Sequence, residues 1–245
     1  QRSRLFVYDE RNLGGRRDTF AYDALYLEHY SDLFPLNDVT FTDGWNRGIA
    51  IGDIGRMHVT NGLTLTILRP LNVNGHLVKE GAGTLALGGT LTFGGAAQSA
   101  TPTSGQNLFT VMGGSIKPLA AHAFDGLAIT FTNNASIKLD ATTSDADLLN
   151  YGIIDVKETA APITLAANQA TIPVTVTPPD GYPSSFTVAI CTIEATPADS
   201  LPVTAFSVAN TAHHRCPRVE KRTNGDGTVT YLAPFFSKGF VINFR

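Results

Sequence analysis

Charge is scarce in this chain. Only 16% of its 245 residues are Asp, Glu, Lys or Arg, against about 25% in an ordinary globular protein. The net charge is −3, so the basic excess on which nucleic-acid binding rests is missing. Long apolar runs are missing as well. The best candidate, Gly62 to Ile67, is broken by threonines and followed by Arg69-Pro70, well short of the roughly 18 residues a membrane helix requires. Insertion of this chain into a membrane is therefore not expected. Two cysteines, Cys191 and Cys216, are the whole supply, and a chain of this length can bury about 70–75% of its unfolded surface without staples. The pair could close one disulfide in an oxidising compartment or remain two buried thiols. His213-His214-Arg215-Cys216 carries metal-ligand side chains, but no second ligand pair lies at suitable spacing. No metal or cofactor is expected. The chain opens on Gln1 rather than Met, as expected of a processed product or an excised piece.

What is present is a strand pattern. Helix signals are confined to Ala21 to Leu33, and even there Leu25, Tyr26 and Leu27 suit a strand equally well. From Val39 the chain turns to short alternating runs: Ile49–Ile51, Met57–Val59, Leu63–Ile67, Leu71–Val73, Leu77–Lys79, Leu85–Leu87 and Leu91–Phe93. Apolar residues at period two put one side of each run inward. A new run begins about every seven residues, tighter than the rhythm of about 8–12 residues found in antiparallel sandwiches. Three runs make a coil of about 21 residues, within the range of solenoid repeats. Asn61-Gly62, Asn74-Gly75 and Gly88-Gly89 stand where corners are needed. The expected fold is all-β: a right-handed parallel β-helix (β-solenoid). The competing reading is a β-sandwich with tight hairpins at the same Asn-Gly pairs.

One stretch is more specific. Asn46-Arg47-Gly48-Ile49, then Gly62-Leu63-Thr64-Leu65-Thr66-Ile67, then Leu77-Val78-Lys79-Glu80-Gly81-Ala82-Gly83-Thr84-Leu85-Ala86-Leu87-Gly88-Gly89 follow in order. This series resembles the passenger-associated transport repeat of bacterial autotransporter proteins, over about 45 residues. The resemblance implies a secreted or cell-surface passenger built as a β-helix. It also implies that Lys79, Gly81, Gly83, Thr84, Leu85 and Leu87 are structural, the glycines turning corners and the leucines filling the core. A complete autotransporter carries a C-terminal membrane barrel, and after residue 160 the strands are too few and the prolines too many for one.

Further along, 94–105 reads as a loop. Strands are expected at Leu108–Met112, Leu127–Phe131, Ile137–Leu139 and Ile153–Val156, and longer ones at Ile172–Val176, Phe186–Ile193 and Val203–Val208. A hairpin turning at 224–227 and a last strand, Phe240–Phe244, close the chain. The organisation expected is an N-terminal cap or assembly arm (1–38), a β-helix (39–158) and a C-terminal β-rich cap or small β-sandwich (159–245). An open solenoid end leaves backbone groups unpaired, so a cap is physically expected.

Chemistry has little voice. Asp140, Asp145 and Asp147 form the best acidic group but lack the spacing of a calcium loop. Asp53 and Arg56 read as a solvated pair at a corner, and Asp9-Glu10 with Arg11, Arg16 and Arg17 as a solvated surface or subunit contact. No nucleophile elbow, zinc-protease helix or phosphate loop occurs, and no catalytic residue is assigned. The leading expectation is an extracellular structural protein: adhesin stalk, matrix component or self-associating fibre subunit. Leu5, Phe6 and Val7 with Phe240, Val241 and Ile242 are the candidate assembly strands. The alternatives are a module binding host or matrix glycans through Trp45, Tyr22, Tyr26 and Tyr30, and a β-helix polysaccharide lyase or hydrolase.

Overall fold

The structure, a computed structural model, describes residues 3–14, 21–89, 91–92, 108–120, 123–124, 127–141, 154–156, 163–179, 181, 184–194 and 201–239. Among the described residues it is all-β, with long parallel sheets and three short 3-10 turns. The first sheet stacks seven strands in chain order: Arg4–Val7, Ser31–Pro35, Ile54–His58, His76–Glu80, Leu108–Met112, Ala128–Thr132 and Ile163–Leu165. The second also stacks seven: Val39–Phe41, Thr64–Ile67, Thr84–Leu87, Ser115–Pro118, Ser136–Asp140, Ile172–Thr177 and Phe206–Val208. A third holds Ala21–Leu27, Arg47–Ile51, Leu71–Val73 and Leu91–Thr92. Every pairing in these three sheets is parallel. Between Ile54 and Thr92 the chain visits first, second and third sheet in rotation, twice over. That order is compatible with a β-helix. It excludes the sandwich reading for this region, since Asn61-Gly62 and Asn74-Gly75 join strands of different sheets rather than closing hairpins.

The register explains why these residues make these sheets. Ser115 stands opposite Ser136, 21 positions on, and His58 opposite Glu80, 22 positions on. Elsewhere the separation differs, from 20 positions between Leu65 and Leu85 to 37 between Ile137 and Val174, yet the register still superposes like on like. One line of partners in the second sheet runs Val39, Leu65, Leu85, Ile116, Ile137 and Val174, all buried. Another in the first sheet runs Leu33, Met57, Lys79, Val111 and Phe131, again all buried. The apolar members of both lines belong to one buried cluster, and Lys79 is the sole charged member of its line. At about 25 cal/mol per Å² of apolar surface withdrawn from water, such columns dominate the stability.

Two expectations need correction. The stretch Ala21 to Leu33 is not a helix but the strands Ala21–Leu27 and Ser31–Pro35, divided by His29 and Tyr30 at φ +49° and +65°. Leu25, Tyr26 and Leu27 pair with Ile49, Ala50 and Ile51, so tertiary pairing overrides a neutral local preference. Val203–Val208 is a strand only over Phe206–Val208, because Val203–Ala205 forms a 3-10 turn after Pro202. The parallel sheets include strands on both sides of 38/39 and of 158/159. Arg4–Val7 and Ser31–Pro35 lie before the first, and Ile163–Leu165 and Ile172–Thr177 after the second.

A fourth sheet orders Ile154–Val156, Ser185–Glu194, Thr228–Ser237 and His214–Arg215, with Glu220–Thr223 paired on Thr228–Ser237. Apart from its first pair it is antiparallel. The hairpin expected around 224–227 is here, turning at Gly227 with φ +85°.

Candidate functional site

The repeat residues converge on one corner. Lys79 lies inward on His76–Glu80 and has no solvent exposure. Its Nζ donates to the carbonyls of Gly81 (2.5 Å), Gly83 (2.6 Å) and Gly113 (2.9 Å). An ammonium has three donors and no acceptor, so the three carbonyls saturate it. Gly113 follows the next strand of the sheet, Leu108–Met112, so the side chain ties one layer to the layer above. Burial, reinforced by the charge of Lys138, lowers the Lys79 pKa to about 8. Gly81, at φ +79°, and Gly83 bring the backbone so near that a Cβ on either would overlap the carbonyl of Val59 or Thr60. Thr84 accepts from Lys138 Nζ at 2.9 Å, and Leu85 and Leu87 are buried in the core. With these groups engaged on one another, the corner acts as a lock within the scaffold.

The outer face of the first sheet carries an ordered row. Phe6, Phe34, His58 and Glu80 are successive partners or near-partners across four strands. Phe6 tilts against Phe34 at 5.3 Å, and Phe34 stacks on the His58 ring at 4.6 Å. His58 Nδ1 lies 3.4 Å from Glu80 Oε2, and Arg56 pairs with the same carboxylate. Arg56 also lies 5.5 Å from the centre of the Tyr30 ring. Burial, with the charge of Arg56, lowers the pKa of the neighbouring His76. The expected pairing of Arg56 with Asp53 is therefore corrected. Strand register places Arg56 beside Glu80, and Asp53 instead accepts from the backbone amides of His29 and Ile54.

Of the charged N-terminal stretch expected to be a solvated surface or a subunit contact, Glu10 is buried within the chain. Asp9 is partly exposed, Arg11 is exposed, and Arg16 and Arg17 lie outside the described residues. Glu10 sits in the 3-10 turn Glu10–Leu13 and is only 4% exposed. Its Oε1 lies 3.2 Å from Arg69, which is fully buried, and its Oε2 accepts from the Thr42 amide at 3.0 Å. Arg69 in turn donates to the Arg47 carbonyl at 2.5 Å, while Arg47 reaches the Glu10 and Gly14 carbonyls. The turn thus lies against the end strand of the second sheet, Val39–Phe41, and satisfies its backbone just beyond the last residue. The arginines that make this cap, in Asn46-Arg47-Gly48 and Arg69-Pro70, carried no signal of pairing with a residue so far away in sequence.

Beside this cap lies a cleft of about 350 Å³ lined by Asp9, Arg11, Asp38, Thr40, Thr42 and Trp45, with Glu10 at its base. Asp9 caps the turn, accepting from the Arg11 amide (2.8 Å) and from its guanidinium (3.0 and 2.9 Å), which holds the carboxyl at about 2. Asp38 accepts from the Thr64 amide at 2.7 Å. Trp45, on the turn Asp43–Trp45, is half-buried, with Arg47 5.4 Å from its ring centre.

The remaining sites fall as follows. Leu5 and Phe6 are exposed on the first strand and Val7 is buried, while Phe240, Val241 and Ile242 lie outside the described residues. Tyr26 and Tyr30 are about half exposed, and Tyr22 lies on the strand Ala21–Leu27. Asp140 pairs with Lys117, and Asp145 and Asp147 lie outside the described residues. Among the described residues no group of three or more His, Cys, Asp and Glu is placed to hold a metal ion. Cys191 and Cys216 are two thiols, not one disulfide. Cys191 points into the core from the middle of a paired strand, and Cys216 Sγ turns to the Arg218 carbonyl. No helix among the described residues is long and apolar enough to cross a membrane. No family model, curated protein or solved structure matches this chain.

Proposed function

We propose that this chain is a structural protein of the bacterial cell surface or extracellular space, a right-handed parallel β-helix of the autotransporter-passenger type that assembles through its end strands. The observation that carries the reading is the first strand. Arg4–Val7 is the outermost member of the first sheet, paired on one side with Ser31–Pro35 and, among the described residues, with no strand on the other. Leu5, Phe6 and Tyr8 are 36%, 53% and 63% exposed around it. An exposed, apolar strand edge is a template for another strand. Stack height supports the same reading. Seven strands about 4.8 Å apart rise only about 30 Å, too little for a stalk by itself, so reach must come from end-to-end addition. The passenger-type repeat around Lys79 favours the surface location.

Electron microscopy and light scattering of the purified chain test this. The expected result is rods whose length grows with concentration and shrinks to single units in Phe6→Lys, a change that leaves the outward side of the sheet charged without disturbing its core. Compact particles of one size at every concentration would overturn the reading.

A further inference from the structure

The cleft at the N-terminal end goes beyond a scaffold's needs, and we propose that it binds a neutral pyranose unit of a glycan. A scaffold gains nothing by leaving its sole tryptophan half-buried in an open cleft, since indole is among the most valuable side chains to bury. Sugar recognition needs that arrangement: a flat apolar platform for the ring's C–H face and fixed acceptors and donors for its hydroxyls. Trp45 supplies the platform, and Arg47 at 5.4 Å from its ring centre restrains the indole.

The polar groups around it are held before any ligand arrives. Asp38 is pinned by the Thr64 amide, Asp9 by the Arg11 amide and guanidinium, and the Thr42 hydroxyl by Glu10 at 3.3 Å. Such groups lose little freedom on binding, which is what makes a small polar ligand bindable in water. The volume, about 350 Å³, suits one or two sugar rings. Charge selects among sugars. Among the described residues lining the cleft, Asp9 and Asp38 stand with one cation, Arg11, and Glu10 is already engaged by Arg69. The cleft therefore repels uronic and sialic acids and accepts neutral hydroxyl pairs.

The single tryptophan makes the test direct. Methyl glucoside, methyl galactoside, methyl mannoside and a neutral tetrasaccharide are titrated into the intact chain while Trp45 fluorescence is followed, with glucuronic acid in parallel. The expected result is a saturable shift with at least one neutral sugar below about 10 mM, and none with glucuronic acid. Asp38→Asn keeps an oxygen for the Thr64 amide, so it should leave the melting temperature unchanged while weakening binding about tenfold. Absence of any saturable shift with the neutral set, a preference for glucuronic acid, or equal affinity in Asp38→Asn would each overturn the proposal.

Discussion

Replacing Lys79 by methionine removes a buried charge while keeping the length of the side chain, and two opposed effects decide the outcome. Burying an ammonium is costly, and swapping buried ions for apolar groups often stabilises a protein by about 1–4 kcal/mol. Against that, the carbonyls of Gly81, Gly83 and Gly113 all lose a donor. The Gly83 carbonyl retains the Ser115 amide at 3.0 Å, so the loss falls on the carbonyls of Gly81 and Gly113. Each newly unsatisfied acceptor costs about 1–3 kcal/mol, about 4 kcal/mol for the two at mid-range, and the removed ion returns about 2–3 kcal/mol of that, which leaves Lys79→Met destabilised by about 1–2 kcal/mol. For a chain of this size that is a fall in Tm of roughly 2–8 °C, read by circular dichroism. The pH dependence adds a second signature. The folded-state pKa near 8 lies below the ordinary 10.5, so between those values the unfolded chain binds more protons than the folded one. Stability of the native chain should then rise with pH across about 8 to 10.5, and Lys79→Met should lose that rise. A variant that melts at or above the native temperature would refute the cage as a stabilising device.

Other substitutions probe other layers of the argument. Leu85→Asp puts an unpartnered carboxylate into the line Leu65–Leu85–Ile116 and should cost about 3–5 kcal/mol; a melt within a degree of native would sink the inward assignment. Glu10→Ala strips the buried Arg69 of its carboxylate and should cost a similar amount, about 3–5 kcal/mol, with hydrogen exchange quickening first around Val39–Phe41. Because Cys191 and Cys216 are separate thiols, dithiothreitol should leave the melting curve unmoved. Burial raises the Cys216 thiol pKa, so at neutral pH a thiol reagent should label it slowly, and Cys191 only on unfolding.

Much of the parallel region could be read from residues alone, and the reason is mechanical. Leu71–Val73 and Leu108–Met112 were expected with the bounds they have, and Ile54–His58, His76–Glu80 and Thr84–Leu87 within one to three residues. There, period-two apolar positions and Gly or Asn corners recur at the coil length, so local pattern and global pairing agree. Ser115–Pro118 escaped notice because Lys117 and Pro118 interrupt its pattern, although Ile116 alone suffices to fill the column between Leu85 and Ile137. The candidate site was less legible. Its carboxylates and its tryptophan come from separate turns that the sheets bring together, and nothing in Asp9-Glu10 marks one residue as exposed and the next as buried. Glu10 differs only because Thr42, Arg47 and Arg69 converge on it.

The pairing also sets what length changes the protein can absorb. Ser115 and Ser136 meet across 21 positions, yet Thr130 and Thr164 meet across 34 with hydroxyls 2.8 Å apart. The ladder counts rungs and is indifferent to the amount of chain spent between them. Foreign peptides grafted between rungs should therefore be displayed at the flank while the stack beneath keeps its register, which makes this architecture a natural host for sequence novelty.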